Sequence, residues 1–208
     1  MRRPALALAA TLVATFSLAH PAFAHHAMGG GMPATLAQGV LSGLGHPIIG
    51  LDHFAAVVAI GCIASLHAAG ARLVIGYVVA MMAGVAVHLM GASLPGAELW
   101  VATSVIALGL VLATRRDLGT LAALAVFAAV GLLHGYALGE SIYGAEPTPL
   151  FAYLAGLAII QSAIALAAMN LARRLTGRAA EAAPLRLIGA GIAGLGLAIF
   201  VQQVTSAV

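Results

Sequence analysis

Gly45-His46-Pro47-Ile48-Ile49-Gly50-Leu51-Asp52-His53-Phe54 sets two imidazoles and a carboxylate at the mouth of a long apolar run, Phe54 to Leu66. An ionisable side chain in a segment apolar enough to span a bilayer is expensive to bury, and marks a functional site by default. Histidine with aspartate is also a donor set suited to borderline transition metals such as Ni2+, Co2+ and Zn2+. The stretch therefore raises two linked expectations, a chain that lives in the membrane and a metal-handling site inside it.

The composition meets the first. The chain is 62% hydrophobic and 7% charged, with a mean hydropathy of +1.09, where soluble domains carry about 25% charged residues. The fold class expected is an all-α integral membrane protein. It is a polytopic bundle of about six transmembrane helices following a cleaved signal peptide, with a discontinuous first helix. The sequence pI of 9.6 comes from arginine alone, since the chain has no lysine. The arginines fall in short clusters between apolar runs, where they orient the chain in the membrane rather than bind nucleic acid. The single cysteine, Cys62, excludes an intramolecular disulfide and a cysteine-based zinc module.

Residues 1–24 read as a secretory signal peptide. Arg2 and Arg3 form the positive start, Ala5 to Leu18 the apolar stretch, and Ala22-Phe23-Ala24 the cleavage site. Cleavage there leaves His25-His26 at the mature N-terminus, where the α-amine, the intervening amide and the His26 imidazole can chelate a metal together. Residues 25–46 are a periplasmic lead-in followed by a short apolar segment, Ala34 to Leu44, that suits a half-helix or an interfacial segment. Residues 47–208 form the six-helix domain. The first span is expected from Pro47 to His67, with Pro47 opening the helix and pushing His46 out of helical geometry. Five more follow, at about Leu73–Leu94, Leu99–Ala113, Leu118–Leu138, Leu150–Leu171 and Leu185–Val204. Glycines at 84, 91, 189, 191, 194 and 196 suit close helix packing.

Charge fixes the orientation. With the mature N-terminus outside, Arg72, Arg115, Arg116, Arg173, Arg174, Arg178 and Arg186 all fall in cytoplasmic connections. Glu98, Glu140 and Glu146 fall outside. The positive-inside rule thus agrees with the signal peptide, and the expected location is the bacterial inner membrane with a periplasmic N-terminus. In that frame His46, Asp52, His53, His88, Glu98, His134 and Glu140 gather in the outer half, from four spans, while His67 lies at the cytoplasmic end. Such sorting favours a shared function. Asp52 and His53 are neighbours, about 100° apart on a helix, and His46 can join them only if the chain bends near Gly45–Pro47 or Gly50.

A second constellation is His134-Gly135-Tyr136-Ala137-Leu138-Gly139-Glu140. Like the first it has a histidine followed six positions later by a carboxylate, which would suit two related three-span halves of inverted topology. At these two motifs the chain resembles the HupE/UreJ family of bacterial membrane proteins. His46-Pro47-Ile48-Ile49-Gly50-Leu51-Asp52-His53 matches its H-P-x-x-G-x-D-H signature, and the second segment is similar to its H-G-x-A-x-G-E. The resemblance implies secondary permeases for nickel, in some cases cobalt, linked to hydrogenase, urease or cobalamin metabolism. It implies His46, Asp52, His53, His134 and Glu140 as the transport residues. Tyr136 stands where that family often has a further histidine, which leaves one imidazole fewer and bears on metal preference.

The leading expectation is a permease importing Ni2+ or Co2+, with no tightly bound cofactor and no enzymatic activity. Its metal residues are His46, Asp52, His53, His134 and Glu140. His25, His26, His88 and His67 are secondary candidates. The chain has no Walker A sequence, so any uptake follows the ion's own gradient or a partner's energy. An accessory subunit in nickel-enzyme maturation is the alternative. An intramembrane metalloenzyme is a weaker one, because the chain has no H-E-x-x-H. The expected partners are the divalent ion and the lipid bilayer, with a homo-oligomer or metalloenzyme-maturation proteins beyond them.

Overall fold

The computed structural model describes residues 31–116, 118–176 and 183–206. The signal peptide, His25, His26 and Arg178 lie outside the described residues. Those described form seven α-helices and no strand: α1 Leu36–Ile49, α2 Leu51–Ala64, α3 Gly70–Leu89, α4 Ala97–Thr114, α5 Thr120–Glu140, α6 Pro147–Thr176 and α7 Ala183–Ser206. The last five are each long and apolar enough to cross a bilayer, and α1 and α2 pass that test together as a pair bent by 78°. In lipid every backbone polar group must be satisfied within the protein, which is why these apolar runs are helical.

The first span departs from expectation in its punctuation. Pro47 does not open the helix; it lies inside α1, and His46 is helical. The helix starts earlier because Thr35 caps it. Its Oγ1 accepts from the Gln38 N–H at 3.2 Å, and Gln38 Oε1 accepts from the Ala34 N–H at 2.8 Å. So near the C-terminus of α1, Pro47 forfeits one hydrogen bond, to the Gly43 carbonyl, and the helix persists for two more residues. The break falls at Gly50, which is extended (φ −73°, ψ 101°). The short apolar segment from Ala34 is thus a half-helix.

The bent pair is one broken crossing. Gly39 and Gly43 sit against Pro149 and Tyr153 near the start of α6, and Gly61 on α2 sits against Ala165 and Ala168 further along. Arg173 then donates to the His67 carbonyl at 3.2 Å. The chain therefore advances along α6 from one end to the other, whereas a re-entrant loop would return. The second span is shorter than expected. It ends at Leu89 because Gly91 turns left-handed (φ 81°), well before Pro95.

Glycine contacts define three helix pairs, which are α1 with α6, α3 with α5, and α4 with α7. Two of these pairs repeat each other. A Cβ on Gly39 would meet the Pro149 carbonyl and Ala152 Cβ, and one on Gly131 would meet the Tyr77 carbonyl and Ala80 Cβ. Likewise Gly43 abuts the Tyr153 carbonyl as Gly135 abuts that of Met81. Gly156 lies against Val40 and Leu44 as Gly84 lies against Leu132 and Tyr136. In the third pair, Gly109 and Gly189 each lie against the other's carbonyl. The α3 and α5 helices run antiparallel to α1 and α6, so the halves are inverted. The register is not the one the ionisable motifs suggest. Packing aligns Gly39-Val40-Leu41-Ser42-Gly43 with Gly131-Leu132-Leu133-His134-Gly135, so His134 corresponds to Ser42 rather than His46. The α2 helix has no counterpart, since residues 141–146 join α5 to α6 directly.

Charges sort by end. Arg72, Arg115, Arg116, Arg173 and Arg186 share one end of the bundle with His67, and Glu98, Glu140 and Glu146 share the other. Expected packing at Gly84, Gly189 and Gly196 is found. Gly191 and Gly194 instead have nothing within 4 Å, and Gly91 is the turn residue already noted.

Candidate metal centre

The break at Gly50 builds the site. It ends α1 just after His46 and starts α2 just before Asp52 and His53, so the bend swings both imidazoles towards one region. Their ring centroids are 5.8 Å apart, nearly perpendicular. Glycine keeps the corner open for these side chains, because a Cβ on Gly50 would stand 2.9 Å from His53 Cδ2 and 3.2 Å from Asp52 Oδ1 and displace them. Asp52 lies in the first turn of α2, where the helix dipole favours a negative charge, and its Oδ1 accepts from the His53 N–H at 2.8 Å. The C-terminal end of α1, with its negative partial charge, meets the same corner.

The α5 helix brings the third imidazole. His134 Nδ1 and His53 Nδ1 are 2.9 Å apart, with centroids at 4.9 Å. On its far side His134 Nε2 lies 2.8 Å from Ser104 Oγ on α4. The Ser104 hydroxyl donates to the Val101 carbonyl at 2.7 Å. One hydroxyl has one proton, so Ser104 accepts from His134 Nε2–H. His134 Nδ1 is then the acceptor and His53 Nδ1–H the donor. By that chain His53 Nε2 carries a lone pair, 4.0 Å from Asp52 Oδ1. At 4.0 Å the two atoms are further apart than adjacent ligands of one ion, which lie roughly 3–3.5 Å from each other at bond lengths of about 2.0–2.2 Å, so sharing an ion requires the side chains to close by a few tenths of an ångström or more.

All of this is buried. His46 is 3% exposed, Asp52 2%, His53 4% and His134 0%. Among the described residues no three His, Cys, Asp or Glu side chains converge as a closed metal cage. The donors are arranged as neighbouring pairs joined by hydrogen bonds.

The remaining candidates lie apart from this cluster. Glu140 is exposed at the end of α5. Glu98 accepts from Gln203 Nε2 on α7 at 3.4 Å. His88 is enclosed by Tyr136 and Tyr143, with centroids at 4.6 and 5.6 Å. Tyr136, the departure from the family pattern, uses its hydroxyl to clamp the α3–α4 connection. It donates to the Ala92 carbonyl at 2.7 Å and accepts from the Leu94 N–H at 2.9 Å. His67 lines a cavity of about 330 Å³ with Arg115 and Arg116, whose guanidinium groups disfavour a cation there. Ser104 is the functional candidate absent from the sequence reading. Its signal was a hydroxyl within the apolar run of α4, weaker than an ionisable group.

Seven apolar helices, with a buried imidazole and carboxylate cluster at a broken one, define a multi-pass helical membrane protein with a polar site inside it. A family model described as HupE / UreJ protein matches residues 3–199. The chain is 32% identical over 189 residues to Protein HupE of Rhizobium leguminosarum bv. viciae, covering 89% of this chain and 94% of that protein. No solved structure matches the chain. The chain belongs to the HupE/UreJ family.

Proposed function

We propose that the protein is a secondary permease that imports a divalent transition metal, Ni2+ first and Co2+ next, across the bacterial inner membrane. The observation that carries this is the burial of Asp52 with His46, His53 and His134 at the break between α1 and α2. A buried carboxylate among imidazoles is costly for a structural helix, and it is the chemistry that strips and holds a partly dehydrated cation. A broken helix at the interface of two inverted halves is also how secondary transporters present side chains and carbonyls to an ion.

Capture from the periplasm begins at the acidic end of the bundle, near Glu98 and Glu140. Asp52 and His53 Nε2 then take the ion between them, and His46 approaches from α1. His134 holds the His53 ring through its Nδ1 and is itself held by Ser104, so its part is to orient a ligand. Mixed nitrogen and oxygen donors bind less tightly than thiolates and permit release.

Accumulation of radioactive nickel and cobalt in a transport-deficient bacterium tests the reading. The native chain is compared with His53→Ala, Asp52→Asn and His134→Ala at matched membrane levels. Uptake by the native chain that falls to background in Asp52→Asn is expected. Equal phenotypes for native and substituted chains would favour the accessory-subunit role instead.

A further inference from the structure

One polar pair in the core is not used by the cluster. Tyr77 on α3 and Gln161 on α6 are both fully buried. The Tyr77 hydroxyl lies 3.4 Å from Gln161 Oε1, a long contact, and Gln161 Nε2 has no hydrogen-bond partner among the described residues. A buried amide with unused hydrogen-bonding capacity is costly and is rarely kept for packing alone. Helix–helix adhesion would use both ends of the amide at shorter distance.

Its level in the bundle gives the pair a role. Tyr153, Leu157, Gln161 and Ala165 follow at four-residue steps along one buried stripe of α6. Tyr153 lies beside His46, with ring centroids 6.5 Å apart. Ala165 lies against Gly61, two turns past His53 on α2. Gln161 is therefore beyond the cluster in the direction of the arginine end. Tyr77 agrees, since its carbonyl abuts Gly131, one turn from His134 in the same direction. Below the imidazoles, this pair supplies uncharged oxygen donors in an otherwise apolar core.

We propose that the Gln161 amide oxygen and the Tyr77 hydroxyl form a second, inner station for the divalent cation on its way from the Asp52–His53 centre to the cytoplasm. The inference rests on the permease reading. Neutral oxygens bind a divalent transition ion more weakly than imidazole and carboxylate do, so the ion passes inward without being trapped. The unused Nε2 lets the amide rotate to meet it.

The test uses the full chain, purified and reconstituted in vesicles, with Ni2+ and Co2+ as probes. Equilibrium binding and initial influx are measured for the native protein, Gln161→Leu, Gln161→Glu and Tyr77→Phe. The expected result is binding within about twofold of native, set by the intact Asp52–His53 centre, with influx lowered about tenfold in Gln161→Leu and less in Tyr77→Phe. Gln161→Glu keeps an oxygen donor and is faster than Gln161→Leu. Native influx in both Gln161→Leu and Tyr77→Phe would overturn the inference, as would Gln161→Glu no faster than Gln161→Leu. If Gln161→Leu fails to fold, the near-isosteric Tyr77→Phe decides, and native influx there overturns the station. Absence of influx in the native chain would instead remove the permease reading, and this inference with it.

Discussion

At the scale of residues, the site depends on which atom of each imidazole holds a hydrogen. Ser104 sets that choice by accepting from His134 Nε2–H, which turns His134 Nδ1 into the acceptor for His53. Ser104→Ala removes the acceptor while leaving every proposed ligand in place. Losing a buried hydrogen bond costs about 1–2 kcal/mol, so initial metal uptake should fall about tenfold at unchanged membrane level. Unchanged uptake would show that the chain of hydrogen bonds is idle. Tyr136→Phe has a different expected signature. It leaves the buried cluster intact but frees the Ala92 carbonyl and Leu94 N–H. Thermal unfolding in detergent should occur at a lower midpoint, corresponding to about 1–2 kcal/mol, with metal binding retained. The ionisable members His46, Asp52, His53 and His134 were legible in the sequence because charge in an apolar run stands out. Ser104, Tyr77 and Gln161 were not, because hydroxyl and amide groups in membrane helices are common, and only their neighbours reveal a role.

At the scale of elements, two kinds of glycine separate. Gly135 lies where any Cβ would collide with the Met81 carbonyl, whereas Gly194 faces open space. Gly135→Ala should push α5 off α3 and destabilise the protein by about 1–3 kcal/mol, as overpacked cores do. Gly194→Ala should stabilise α7 by about 0.5–1 kcal/mol, the usual gain from replacing a helical glycine. Unfolding midpoints of the two variants side by side check both signs. Gly50→Ala is a third case, because its backbone angles tolerate alanine but the new methyl crowds His53 and Asp52. It should impair uptake while leaving the fold in place, read as loss of influx at a normal unfolding midpoint. The spans themselves were legible as apolar runs. The bend falls at Gly50, one of the two places expected, and only Pro47 was misread, as a helix start rather than a residue inside α1. A proline this near the end of α1 sacrifices one hydrogen bond, and the bend is made at Gly50, where a methyl would crowd the His53 and Asp52 side chains.

At the scale of the whole molecule, the charge sorting expected from the sequence is found among the described residues, with Arg72, Arg115, Arg116, Arg173 and Arg186 at one end of the bundle and Glu98, Glu140 and Glu146 at the other. The inverted repeat was legible only as an idea. The eye pairs His46 with His134 because both lead to a carboxylate, but packing pairs Ser42 with His134, since helix contacts are set by Gly39, Gly43, Gly131 and Gly135. The first half then carries α2 as an extra element, and α2 brings Asp52 and His53 to the meeting point of the halves. That placement is the basis for reading the molecule as a machine that moves an ion between its two ends. The most direct test is influx of nickel into vesicles containing the purified protein and no other, compared with vesicles containing Asp52→Asn. Time-dependent influx with the native chain, lost in Asp52→Asn although the protein remains folded, is the predicted result. Influx no greater than in protein-free vesicles, from a native chain folded in the bilayer, would contradict it.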